Sequence, residues 1–173
     1  AQRCIELTRN FLNYARPDGE AQRSTLNLNE LLESVLSLFQ ARLRHLKIAL
    51  ETSYDPDLPD ILADSVPMQQ VFYNLVANAC QAMEHAEQRP RVLRVETRTE
   101  RTDDGETLVV AAVKDNGPGI PADVQERIFD RFFTTKPKHE GTGLGLAICK
   151  RVVTAHDGAL TVQSQQGEGA EFL

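Results

Sequence analysis

An α/β sandwich is the fold class this sequence predicts: a mixed, mostly antiparallel sheet covered on one face by helices. Three observations predict it. Strand-like and helix-like stretches come in mixed order along the 173 residues. Two long stretches, one after Asn29 and one after Asp64, carry apolar residues at helical spacing on one face. Between two strand-like runs, "TDDGE" at 102–106 has the composition of a hairpin turn.

Each element follows from local chemistry. Residues 1–16 read as the end of a helix, with Ile5, Thr8, Leu12 and Ala15 at three- and four-residue steps, and "RPDGE" breaks it at Pro17. "TLNL" from Thr25 is a short strand. Asn29 is the expected N-cap of a helix whose face is Leu31, Leu32, Val35, Leu36, Phe39 and Leu43. "KIALETSY" alternates as a strand, "DPDLP" is a loop and "ILA" a short strand. Asp64 or Ser65 caps the next helix, with Pro67 in its first turn, and the helix runs to about Glu84. Residues 91–101 and 106–114 are strands; 116–142 is irregular and rich in Gly, Pro and Lys; Gly143 to His156 is a mostly apolar helix. "ALTVQS" is another strand and "AEFL" opens a last, truncated one.

The bulk numbers narrow the class. Hydrophobic residues make up 41 % of the chain, enough for an ordinary core. The net charge of −6 sets nucleic-acid binding behind other classes. No run approaches the ~18 apolar residues of a membrane helix. Starting at Ala1 and stopping at "EFL", the chain reads as an excised fragment with no membrane contact of its own. Cys4, Cys80 and Cys149 are scattered without CxxC spacing, which argues against disulfides or zinc and for a reducing cytosol.

Three stretches carry chemistry. In "MQQVFYNLVANACQAMEH" one broad face is Met68, Val71, Phe72, Leu75, Val76, Ala79 and Met83. Gln70, Asn74, Asn78, Gln81 and His85 form a narrow stripe opposite. Asparagine is a mediocre helix former, so two of them four apart in mid-helix are either a solvated face or amides turned into a cleft toward a hard cation. "DNGPGIP" at 115–121 ends a buried-type strand in a glycine turn. Asp115 there could accept from a planar donor such as the exocyclic amine of adenine, with Gly117 and Gly119 letting backbone approach a flat ring; alone, the motif is an ordinary turn. "GTGLGLAI" at 141–148 opens a helix, whose first-turn N–H groups and dipole suit phosphate.

Taken together and in this order, with "RIFDRFFTTK" between the last two, these stretches resemble the ATP-binding catalytic domain of histidine protein kinases, the Bergerat fold shared with gyrase, Hsp90 and MutL. "NLVANA" is similar to the family's N box, "DNGPGIP" to its G1 box, "RIFDRFFTTK" to its F box and "GTGLGLAI" to its G2 box. The resemblance is nearest the nitrogen-regulation and dicarboxylate sensor group. It implies a catalytic domain over 21–173, preceded at 1–20 by the end of a dimerisation and phosphoacceptor helix ("FLNYARP") and a linker. It implies ATP and Mg²⁺, with Asn78 holding the metal, Asn74 and Gln81 nearby, and Asp115 on adenine N6. Gly117, Gly119 and Ile120 would lie along the base. Gly141, Thr142, Gly143, Leu144 and Gly145 would line the phosphates. Lys136, and also Lys138, would bring charge toward the γ-phosphate, while Phe129, Phe132 and Phe133 would anchor the lid by packing. Partners implied are the protein's own dimerisation domain, as a homodimer, and a response regulator. The expected location is cytoplasmic, with any membrane anchor of the parent upstream.

Two departures matter. The ATP-hydrolysing relatives of this fold carry a glutamate four residues before the metal-binding asparagine, where this chain has Asn74. An amide cannot take a proton at neutral pH, so efficient hydrolysis by that route is not expected. The kinases' acceptor histidine lies in a sequence like H-E-x-x-N-P-L, and none of His45, His85, His139 and His156 has that context. His156 falls near a helix C-terminus, where its cation would suit the dipole. The fragment alone should therefore bind ATP without autophosphorylating. The alternatives are a nucleotide-binding signalling module without kinase activity, and an ATPase clamp.

Overall fold

A computed structural model describes residues 23–84, 90–135 and 141–173. The expected helix over 1–16, Cys4, His85, Lys136, Lys138 and His139 lie outside them. The elements are β1 (Ser24–Leu26), α1 (Leu28–Leu46), β2 (Ile48–Ser53), β3 (Ile61–Ala63), α2 (Ser65–Glu84), β4 (Arg91–Arg101), β5 (Thr107–Asp115), α3 (Ala122–Gln125), α4 (Gly145–Ala155), β6 (Val162–Gln165) and β7 (Gly169–Phe172).

The main sheet has the order β2-β4-β5-β7-β6, with β2 and β4 parallel and the other pairs antiparallel. This is the mixed, mostly antiparallel sheet the sequence predicts. β1 and β3 pair separately as a small antiparallel sheet. On β4, Arg91, Leu93, Val95 and Thr97 are buried in period two beneath the helices. The opposite face carries charges whose pairing follows the register. Glu51 stands opposite Arg94 and bonds it at 2.6 Å, and Lys114 stands opposite Glu171 at 3.4 Å. The core is the apolar face of α1 (Leu31, Leu32, Val35, Leu36, Phe39, Leu43) packed with that of α2 (Met68, Val71, Phe72, Leu75, Val76, Ala79, Met83).

Local differences from the sequence reading have simple causes. The cap of α1 is Asn27, whose Oδ1 accepts from the Glu30 amide at 3.1 Å, and not Asn29. Leu28 is buried and belongs to the apolar stripe, which pulls the helix start back. Asn29 is recruited across the fold instead: its Nδ2 donates to Asp55 O and its Oδ1 accepts from Thr97 Oγ1 at 2.7 Å. Asp64 does cap α2, taking the Val66 amide on Oδ1 at 3.1 Å. The 102–106 turn closes by Thr102 N to Glu106 O at 2.9 Å. α4 begins at Gly145 and not at Gly143, because Gly143 has φ +66, outside the helical region.

Candidate functional site

α2 is the element on which the site is built, because its polar stripe meets two different neighbours. Toward its N-terminal half, Asn74 Nδ2 reaches Gly145 O at 3.4 Å and Cys149 Sγ at 3.7 Å on α4, while its Oδ1 accepts from Gln70 Nε2 at 2.9 Å. Toward its C-terminal end, Ala82 abuts the turn after β5: a Cβ built on Gly117 would lie 3.4 Å from Ala82 Cβ. Asn78 is half-buried, one helical turn from each. On an α-helix that places it on the stripe between the end of β5 and the start of α4. Asn74, Asn78, Asp115 and Gly145 are thus gathered around one stretch of one helix. Gln81 is half-buried on the same side.

Asp115 closes β5 and is 5 % exposed. Its Oδ1 accepts from the Gly117 amide at 2.8 Å. Burial pushes its carboxyl from 3.8 up to about 6, against the pull of hydrogen bonds from the Gly117 and Ala170 backbone. Burial pushes the nearby Cys80 thiol up to about 11, with Arg42 opposing and Glu84 and then Asp115 adding to the rise. A buried carboxylate that takes two backbone amides, from Gly117 and Ala170, still has acceptor capacity to spare on its two oxygens. It is suited to take a further bond from an N–H donor lying against it.

The turn around Asp115 is pinned by residues to which sequence reasoning assigned no role. Asn116 Oδ1 accepts from the Val92 amide and its Nδ2 donates to Pro90 O, both at 2.8 Å. Ile120 N donates to Ser164 Oγ at 2.8 Å, and Ser164 Oγ donates to Gly169 O. Gln125 Nε2 donates to Ile120 O and Ser164 O. Gly119, with φ +70, would set a Cβ 2.1 Å from Gln165 O. The β6–β7 hairpin therefore occupies the space beside it, and its lack of a side chain serves that close packing. The only sequence signal for these contacts was the turn composition itself.

At the other wall, Gly143 O accepts from the Phe132 amide at 2.8 Å, and a Cβ on Gly143 would meet Phe132 C at 2.4 Å. The glycine lets the aromatic segment dock on the entrance to α4. Of the three phenylalanines expected to pack, Phe129 lies against the core with the Lys150 ammonium 5.1 Å from its ring, and Phe133 carries the Arg127 guanidinium at 4.5 Å. Phe132 does not pack: it is 73 % exposed, at φ +64. Its backbone bond to Gly143 fixes a conformation that turns the ring outward. Thr142 Oγ1 accepts from the Leu144 amide at 3.4 Å, Leu144 is half-buried, and Gly141 is the first described residue of this segment. Among the described residues, nothing beyond Gly145's chain neighbours and its own helix backbone comes within 4 Å of a Cβ position on Gly145. The first turn of α4 is therefore open on that side, with N–H groups that lack intrahelical partners.

His156 links two helices. Its Nε2 accepts from the Asp64 amide at 3.0 Å and its Nδ1 faces Val152 O at 2.8 Å. The ring therefore ties the end of α4 to the chain that enters α2.

A sandwich of this topology, with a buried carboxylate at a strand end and an asparagine-bearing helix between it and an open helix N-terminus, defines a nucleotide-binding class of fold. Residues 63–173 match the family described as histidine kinase-, DNA gyrase B-, and HSP90-like ATPase, and the chain belongs to that family. It is 33 % identical over 154 residues to the sensory histidine kinase/phosphatase NtrB of Vibrio alginolyticus, covering 87 % of this chain and 43 % of NtrB. It is 36 % identical to the sensor protein FixL of Bradyrhizobium diazoefficiens, covering 89 % of this chain and 29 % of FixL. The chain thus spans less than half the length of these relatives. Among solved structures, the catalytic domain of the histidine kinase ThkA superposes with a TM-score of 0.71 at 32 % identity, covering 87 % of this chain and 91 % of that one. Full-length ShkA in complex with AMPPNP gives 0.80 at 31 %, covering 98 % and 35 %. ThkA in complex with the response regulator TrrA gives 0.76 at 26 %, covering 99 % and 46 %. The fold is that of a histidine kinase catalytic domain.

Proposed function

We propose that this chain binds Mg²⁺·ATP between α2, the Asp115 turn and the first turn of α4, and delivers the γ-phosphoryl group to a histidine on a separate dimerisation domain. The observation that carries the reading is the buried Asp115 carboxylate set against the same helix that bears Asn78. Asp115 orients the base by accepting from its exocyclic amine. Gly117 and Ile120 bound the base, with Gly119 holding the turn. Gln81 borders this part of the cleft from α2. Gly141, Thr142, Gly143, Leu144 and Gly145 present the loop and helix N-terminus to the phosphates, and Lys136 adds positive charge.

Among the described residues no cluster of three or more His, Cys, Asp or Glu could hold a metal ion. Mg²⁺ keeps several waters and takes phosphate oxygens, so the amide oxygen of Asn78 is a fitting protein ligand for a metal that arrives with the nucleotide. Bound there, the metal would supply charge neutralisation on the phosphates. The chain's own part is positioning and a preorganised field, which is most of what phosphoryl transfer needs. Asn74 cannot activate water as a general base, which favours transfer over hydrolysis.

On this reading residues 1–20 end the dimerisation helix, the parent works as a homodimer on a response regulator, and this domain is cytoplasmic. The ThkA–TrrA complex supports the partner class. Among the described residues no helix is long and apolar enough to cross a membrane. The test is to mix the chain with a separately produced dimerisation domain of its parent and γ-labelled ATP. Acid-labile, base-stable label on that domain is expected. Nucleotide binding without any such label would leave a binding module, and steady phosphate release by the chain alone would indicate a clamp.

A further inference from the structure

Both ends of the Asn74 amide are engaged by protein. Its oxygen takes the short bond from Gln70 Nε2 at 2.9 Å, one turn back on α2. Its nitrogen is turned to α4, toward Gly145 O at 3.4 Å and Cys149 Sγ at 3.7 Å. Cys149 is fully buried, and its Sγ faces Val71 O at 3.7 Å, back on α2. The two contacts across to α4 are long and individually weak. Gly145 O can only accept, so the end of the amide facing α4 is the donor, and Gln70 Nε2 meets the oxygen left on the other side.

That orientation separates two roles. A side chain serving as a metal or phosphate-site ligand presents oxygen to the cleft; here the oxygen is turned along α2 and the donor crosses to α4. Gly145 opens α4, and the tilt of its peptide sets where the first-turn N–H groups point. A carboxylate at position 74 would place an oxygen against Gly145 O and repel it.

We infer that Asn74 is a positioning residue: it ties the opening turn of α4 to α2, through Gly145 O and Cys149 Sγ, so that Asn78 and the N–H groups of α4 act on one polyphosphate. This rests on the nucleotide reading above, and it adds a role for Asn74 that is distinct from ligation.

The test uses the 173-residue chain, with Asn74→Asp, Asn74→Ala and Cys149→Ser, and two probes, Mg²⁺·AMPPNP and metal-free ADP. Hydrogen exchange of amides 145–149 is followed in the nucleotide-free protein. Loss of the donor in Asn74→Asp should speed that exchange severalfold and weaken Mg²⁺·AMPPNP about tenfold, the loss of one to two modest hydrogen bonds. Metal-free ADP should weaken less. Cys149→Ser, which keeps a partner for Asn74, should change both less than Asn74→Asp does. Equal or tighter Mg²⁺·AMPPNP binding by Asn74→Asp would overturn the inference in favour of oxygen ligation, and unchanged exchange would overturn it outright. If Asn74→Asp does not fold, Asn74→Ala carries the same exchange test. If the wild-type chain binds neither probe, the nucleotide reading falls, while the exchange result in free protein still decides the tie.

Discussion

The amide of Gly117 donates to Asp115 Oδ1 at 2.8 Å inside a wall where Asp115 is 5 % exposed. Burial outweighs that bond and leaves the carboxyl titrating near 6 instead of 3.8. Between those values the folded chain holds a proton that the unfolded chain has lost. Stability therefore falls as pH rises through that window, by about 3 kcal/mol in all. A ligand N–H favours the ionised form. Nucleotide affinity should rise between about pH 5 and about pH 7, with proton release on binding near pH 6. Calorimetry in buffers of different ionisation enthalpy measures it. A flat profile would remove Asp115 from the site.

Asp115→Asn should separate stability from function. The neutral amide removes the cost of a buried charge, so the melting temperature at pH 7 should hold or rise. ATP affinity should drop roughly tenfold to a hundredfold with the loss of a charge-assisted bond. Thermal scans beside a nucleotide titration read both. Joint loss of fold and binding would mean the carboxylate is structural.

Asn78→Ala should lower affinity for Mg²⁺·ATP about tenfold while leaving binding in EDTA nearly unchanged, since the amide oxygen matters only when the metal is present. The comparison of wild type and variant with and without chelator is the measurement, and equal losses in both conditions would contradict the assignment.

Two glycines should respond in opposite ways. Gly119→Ala forces a Cβ against Gln165 O at φ +70 and should cost several kcal/mol, seen in urea unfolding. Gly145→Ala meets open space among the described residues, in a helical first turn. It should leave stability unchanged or raised by up to about 1 kcal/mol, yet weaken ATP, because the added methyl enters the phosphate side.

His156→Ala removes the acceptor of the Asp64 amide. It should destabilise by about 1–3 kcal/mol in denaturant melts without altering nucleotide affinity. A shift in affinity instead would place His156 in the site's machinery.

What the sequence disclosed and what it withheld divide by range. The faces of α1 and α2, β4 and the turn after it follow from neighbours within a few residues and are as read; β5 runs one residue later than the 106–114 expected, and of Asp64 and Ser65 it is Asp64 that caps. Asn27 and Asn29 satisfy the same capping preference; the burial of Leu28 and the bond from Thr97, far along the chain, to Asn29 decide between them. Ser164 and Asn116 hold the Asp115 turn through partners 44 and 24 residues away, which no local pattern encodes. The glycines at 119 and 143 were legible as backbone necessities, but which neighbour required each was not.

β7 lies between β5 and β6, and its Ala170 amide reaches the Asp115 carboxylate. During ribosomal synthesis, then, the edge of β5 has no partner on that side until residues near 170 have cleared the exit tunnel. The wall around Asp115 is completed after the other two sides of the cleft, and a nascent polypeptide halted before residue 170 would expose an open strand to chaperones and to neighbouring chains instead of a mature cleft.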